Sequence, residues 1–439
     1  MRKRILFGFF LWAVFLLSGC SMRTVEQLYC LPKRPQAYND LQSVMDAAMV
    51  GMDYCAPLSG ENRQTVQMAD LDGDGIREYL LFAKGGDDSP LKVLVFQQQE
   101  QNYVLQYTLG SDGSAFDRVE YVQMDGVGGM ELIVGHKVSD QVPRSATVYT
   151  FRDGQPGRML TTSYTSLLTC DLDADSRQEL MVLRPGDGNT DKAVAQLYTV
   201  TDGSAERSKE VLLSGPTDRL KRMILGNLHG GTPAVFVCST VDENTIITDV
   251  FSLVDGVFTN VSFSNMSGTS VQTLRNYHVY ADDLDEDGEV ELPSLVAMKP
   301  VEETNNAGAQ HLIRWYAMGP DGSETDKQYT YHNFAEGWFL TLDESWASRI
   351  SVVQQENAYS FYLWDSRYAN SEKIFTVFVL TGQNRQEQAV QDNRFVICED
   401  ETTVYAAHLE VASGVINLSR EALIEGFHPI YQDWKTGEM

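Results

Sequence analysis

The nine residues Asp70-Leu71-Asp72-Gly73-Asp74-Gly75-Ile76-Arg77-Glu78 set carboxylates at positions 1, 3, 5 and 9 of a short loop, with glycine at position 6. Calcium takes hard oxygen ligands. Alternate side chains of such a loop can converge on one centre, glycine permits the sharp turn, and the position-7 carbonyl supplies another oxygen. The phrase returns as Asp171-Leu172-Asp173-Ala174-Asp175-Ser176-Arg177-Gln178-Glu179 and as Asp283-Leu284-Asp285-Glu286-Asp287-Gly288-Glu289-Val290-Glu291. Candidate ligands are the side chains of Asp70, Asp72, Asp74 and Glu78, of Asp171, Asp173, Asp175 and Glu179, and of Asp283, Asp285, Asp287 and Glu291. The carbonyls of Ile76, Arg177 and Glu289 complete the three sets.

The elements that carry these loops follow from their exits. A helix–loop–helix calcium site needs a bidentate glutamate at position 12, where this chain has Leu81, Val182 and Ser294. The exits 78–82 and 179–183 are short apolar runs, which read as buried strands. The loops therefore join strand to strand.

Counting from the closing glutamates gives a repeat. Glu78, Glu131 and Glu179 are 53 and 48 residues apart, and Glu291 lies 112 residues on, with a degenerate copy between at Asn227-Leu228-His229-Gly230-Gly231. A mean period of about 53 suits β-propeller blades of four strands. In the first repeat, strands are expected at 65–68, 77–82, 91–97 and 103–107. Strand, Asp-x-Asp-x-Asp-Gly-x-x-Glu loop, strand resembles the FG-GAP/VCBS repeat of integrin-type propellers over residues 62–300. The resemblance implies calcium in the loops, mainly in a structural role. None is expected in the second loop (Gln123, Asp125, Val127, Glu131) or the fourth (Asn227, His229, Gly231), which depart from the pattern and lack enough carboxylates. In the third loop Ser176 replaces the glycine, and a left-handed non-glycine residue costs about 1 kcal/mol, so weaker binding is expected there.

Residues 301–439 again read as strands, at 312–318, 337–342, 349–353, 360–364, 373–380, 394–398 and 403–409, with a helix at 419–427 capped by Ser419. That is room for two more blades. The fold expected is all-β, a seven-bladed propeller with a short N-terminal helix. Its rival is a five-repeat array followed by a separate C-terminal β domain. All five tryptophans after residue 300 (Trp315, Trp338, Trp346, Trp364, Trp434) are expected chiefly in the core. The N-terminal helix should start at Asn39 or Asp40 and bury Leu41, Val44, Met45, Ala48 and Met49 on one face.

Ahead of it, Arg2-Lys3-Arg4, an apolar run and Leu17-Ser18-Gly19-Cys20 make a secretory signal. Its ending resembles the lipobox of bacterial lipoproteins, which implies cleavage after residue 19 and lipidation of Cys20. About 13 apolar residues are too few for a spanning helix, which needs ~20. Residues 20–61 then form a lipidated tether and helix, facing outside the cytoplasmic membrane. Five cysteines remain after Cys20; Cys30 and Cys55 could pair, or all five could be small buried apolar residues.

The formal charge of -27 repels phosphate backbones, which excludes nucleic acid as a partner. The seven histidines are scattered, and no His-Glu-x-x-His, Gly-x-Ser-x-Gly or Walker pattern occurs. No catalytic residue is assigned. The leading functional expectation is a binding or scaffold module for an envelope protein or glycan. The alternative is an envelope enzyme acting on polysaccharide, with paired carboxylates at a propeller mouth.

Overall fold

The computed structural model describes residues 36–86, 88–100, 102–140, 142–186, 192–201, 203–299, 311–365, 371–410 and 416–430. The signal sequence, Cys20, Cys30 and Trp434 lie outside these. The chain divides into two compact units. Among the described residues the smaller comprises 36–56, 64–69 and 76–112, and the larger 57–63, 70–75 and 113 onward.

In the smaller unit one helix, α1 (Gln36–Ala48), covers a five-stranded antiparallel sheet. Leu41, Met45 and Met49 fall on one face at helical spacing and pack on Leu81, Ala83, Leu94 and Phe96. The helix begins at Gln36, earlier than Asn39 or Asp40, which lie within it. The sheet strands Val66–Ala69, Glu78–Lys84, Leu91–Gln99 and Asn102–Ser111 lie where hydrophobic patterning placed them.

Among its described residues the larger unit contains five more antiparallel sheets; four are meanders of four strands or four plus one, and in the last Glu372–Thr381 pairs with Thr403–Leu409, leaving Phe395–Glu399 at the edge. The second sheet is Ala115–Val122, Glu131–Lys137, Arg144–Thr150 and Gly157–Tyr164. The third begins Ser166–Cys170 and Glu179–Pro185, and the fourth Leu220–Asn227 and Pro233–Thr240. The fifth runs Glu291–Ala297, His311–Met318, Glu324–Asn333 and Trp338–Leu342, and takes a last strand, Phe427–Pro429, from near the C-terminus. The sixth is built from Ile350–Gln355 to Thr403–Leu409. Where seven blades were expected, the described residues form six sheets.

Neighbouring sheets share cores. Ile133 and Val148 of the second pack with Leu180 and Val182 of the third. Met181 and Leu197 of the third pack with Val235 and Phe251 of the fourth. Phe236 and Val250 of the fourth pack with Leu292 and Tyr316 of the fifth, and Leu312 and Trp338 of the fifth with Phe361 and Phe375 of the sixth. The fifth sheet therefore spans residue 300, and both it and the sixth belong to one core. Trp315, Trp338 and Trp346 are buried in these layers. The strand Glu324–Asn333 was not expected, because Glu324, Asp326 and Lys327 break its apolar pattern; Glu324 and Asp326 pair with Arg314 on the adjacent strand. The C-terminal helix is Arg420–Gly426, and the Ser419 hydroxyl accepts the Ala422 N–H at 3.1 Å, as a cap should. No helix of the described residues is long and apolar enough to cross a membrane.

Candidate metal loops

The first three loops are closed at the first rung of a ladder and the fifth by an isolated bridge. The closing glutamate pairs with the residue just before position 1: Ala69 with Glu78, Val122 with Glu131, Cys170 with Glu179, Asp282 with Glu291. All four glutamates are buried. In the second, third and fifth loops the position-2 N–H donates to this carboxylate, from Met124 at 2.8 Å, Leu172 at 2.7 Å and Leu284 at 2.9 Å. Met124 and Leu172 are themselves core residues, so an apolar anchor and an acid anchor fix opposite faces of one turn.

Inside the loops the aspartates fold the backbone around themselves. The Asp171 carboxylate accepts the Asp175 and Ser176 N–H groups at 3.1 and 2.9 Å, and Asp173 accepts Asp175 N–H at 3.1 Å. In the fifth loop Asp283 accepts Asp287 and Gly288 N–H at 3.1 and 2.9 Å, and Asp285 accepts Asp287 N–H at 3.3 Å. The first loop is divided between the two units. In the larger, Asp70 accepts Gly73 and Gly75 N–H at 2.7 and 3.0 Å, and Asp72 accepts Asp74 N–H at 3.2 Å. In the smaller, Ile76 is exposed and Glu78 opens its strand.

Positions 4 and 6 of all four loops have positive φ: Gly73 and Gly75, Gly126 and Gly128, Ala174 and Ser176, Glu286 and Gly288. The expected strain at Ser176 is present, and Ala174 and Glu286 add two residues that glycine would suit better. The degenerate second loop keeps the same backbone. Its Gly129 lies so close to the first loop that a Cβ would stand 2.3 Å from the Leu71 carbonyl carbon. Neighbouring loops are hydrogen-bonded in three places: Met130 N–H donates to the Asp70 carbonyl, Gln178 N–H to that of Gln123, and Asn227 N–H to that of Gly288.

The carboxylates converge to different degrees. One oxygen each of Asp171, Asp173, Asp175 and Glu179 lie within 4.8 Å of one another, as do those of Asp283, Asp285 and Glu291. Burial pushes Glu179 and Glu291 up to about 7, and the neighbouring loop aspartates add to the rise. Burial raises Glu131 as well. Oε1 of Glu291 is buried and accepts no hydrogen bond, with Lys327 Nζ 4.0 Å away. A hard divalent cation fits this donor set: oxygens only, several ionisable, one of them buried without a proton donor.

Sequence spacing missed the cations that the fold brings in. Arg152 Nε donates to the fully buried side chain of Asp125 at 2.7 Å. Arg177 pairs with Asp175 within the third loop, and Lys327 reaches Asp287 and Glu289. No local signal could have found Arg152 or Lys327, which come from other strands or turns.

These burial effects set a pH dependence. In the metal-free protein the raised glutamates bind protons more tightly folded than unfolded, so stability present below pH ~4.5 is lost as pH rises through about 7. His332, pushed down to about 3 by burial, acts in the opposite sense, its contribution being lost as pH falls below 6.5. With Glu120, Glu131, Glu179 and Glu291 raised by burial against His332 and His428 lowered by it, the metal-free melting temperature should fall between pH 5.5 and pH 8. A rise over that interval in thermal melts would contradict it.

No family model matches the chain, and no curated protein matches it. Among solved structures, an exotype rhamnogalacturonan lyase, YesX, aligns at 12% identity over 74% of this chain and 65% of its own, with a TM-score of 0.31. The rhamnogalacturonan lyase YesW aligns at 13% identity over 74% of this chain and 55% of its own, with a TM-score of 0.33. A protein from Lactobacillus plantarum aligns at 11% identity over 73% and 86%, with a TM-score of 0.24. The chain thus spans less than two thirds of either lyase, and at these scores the likeness supports no argument about activity.

Proposed function

We propose that the protein is a lipid-anchored envelope scaffold whose propeller-type sheets are pinned by calcium and whose loops bind a protein or glycan. The observation that carries the metal assignment is the third loop, where four carboxylates offer oxygens within 4.8 Å of one another. Charges that close repel by several kcal/mol at an effective dielectric of ~20, and a divalent cation removes that repulsion. Asp171, Asp173, Asp175 and Glu179 would hold one ion and Asp283, Asp285, Asp287 and Glu291 a second, assisted by the carbonyls of Arg177 and Glu289. Bound calcium supplies charge neutralisation and a rigid turn, and the chain's own backbone hydrogen bonds already hold the turns in shape. FG-GAP/VCBS repeats are the architecture this reading assumes.

Anchoring rests on Leu17-Ser18-Gly19-Cys20, with Cys20 carrying the lipid and the folded part outside the cytoplasmic membrane. Such a location supplies calcium at the ~10⁻⁴–10⁻³ M that extracellular modules require. The test is electrophoresis of the soluble chain, residues 21–439, through gels containing cell-wall polysaccharides in calcium, with the polymer sized afterwards. Retardation with the polymer intact, or capture of an envelope protein in place of retardation, is the expected result. Shortening of the polymer would replace the scaffold reading by a polysaccharide-degrading enzyme.

A further inference from the structure

In the fifth loop one carboxylate does not join the others. Asp283, Asp285 and Glu291 group as described, but Asp287 Oδ2 accepts a hydrogen bond from Lys327 Nζ at 2.8 Å. Lys327 comes from the strand Glu324–Asn333 of the same sheet. Its ammonium also lies 2.9 Å from Glu289 Oε2 and 4.0 Å from Glu291 Oε1, and its side chain is only 18% exposed. Glu289 is held by the Gly230 N–H, which donates to it at 2.8 Å, and lies 3.0 Å from His229 Nδ1. The third loop differs. Asp175 stays within its group of four, and its cation, Arg177, is a loop residue with a side chain 43% exposed. A half-buried ammonium shared by two carboxylates is harder to displace than a solvated guanidinium.

We infer that Lys327 is a built-in competitor for the cation at the fifth loop: it occupies Asp287 when no ion is bound and must release it before the full ligand set forms. This rests on the calcium reading above. Two consequences follow from charge alone. The fifth loop binds calcium more weakly than the third, despite its better glycine at position 6. It also remains neutralised and folded when calcium is scarce, so the two loops fill in sequence rather than together.

The experiment is calorimetric titration of the soluble chain with calcium chloride, in an Asp72→Ala/Asp173→Ala background that leaves only the fifth loop. Lys327→Met, which keeps the aliphatic stem, should tighten calcium binding by about tenfold or more. Lys327→Arg, which keeps the charge, should stay within about threefold of the parent. Lys327→Gln provides a second neutral variant if the methionine form fails to fold, with melting in calcium as the check on folding. Calcium binding in the parent that neither neutral variant tightens would overturn the competitor role and leave the calcium loops standing. A wild-type chain that takes up no calcium at all would overturn both.

Discussion

Truncating Trp338 to alanine is expected to destabilise the protein by about 3–5 kcal/mol, the range for removing a large aromatic side chain from a closed core. Trp338 is fully buried. Its ring stacks on Phe427 at 5.3 Å and meets Tyr359 and Tyr331, each at 5.5 Å. Phe427 begins the last strand of the fifth sheet and Tyr359 lies in the sixth, so one side chain ties together two sheets and the C-terminal return. Leu423 of the helix Arg420–Gly426 belongs to the same cluster. Urea unfolding in calcium reads the effect as a shift in midpoint. Val257→Ala, at an exposed position of the fourth sheet, should change stability by no more than about 0.5 kcal/mol. A Trp338→Ala loss below ~1 kcal/mol would mean that this layer is not the packed core described here.

How much of this was legible in the sequence depends on distance along the chain. The acid loops could be read because all their carboxylates fall within nine residues and close a single turn. Strand positions around the first loop came out within a residue or two at most ends, since buried strands such as Glu78–Lys84 are continuous apolar runs. The buried glutamate was visible only as a ligand. Its second role, accepting the position-2 N–H and anchoring the ladder, needs the three-dimensional turn. Left-handed backbone at position 4 was hidden because Ala174 and Glu286 occupy it where Gly73 and Gly126 would have announced it. Arg152 and Lys327 lie 27 and 40 residues from the aspartates they neutralise, beyond any local pattern. The pairing of Phe427–Pro429 with Trp338–Leu342 is likewise non-local, and nothing in the intervening sheet foretells it.

The second large effect concerns the loops. At a hundredfold excess over its dissociation constant, a cation that binds only the folded state adds about 2.7 kcal/mol per site. Two or three filled loops would therefore raise stability by more than any single core contact contributes. Asp173→Ala and Asp285→Ala each remove one backbone cap, Asp173 to the Asp175 N–H and Asp285 to the Asp287 N–H, which costs about 0.5–1.5 kcal/mol with or without calcium. They also relieve repulsion in the metal-free loop. In chelator the variants should therefore melt close to wild type, and the large difference should appear only when calcium is present. Equal losses in both conditions would assign the aspartates to turn capping alone.

The most direct single measurement is the thermal melt of residues 21–439, with and without calcium, for wild type beside Asp173→Ala and Asp285→Ala. A clear calcium-dependent rise is expected in the wild type, reduced in each variant and reduced more by Asp173→Ala, since the third loop lacks a half-buried competing ammonium. A wild-type melting temperature that calcium does not move would rule out structural calcium and leave the three acid loops as turns that fold on their own hydrogen bonds.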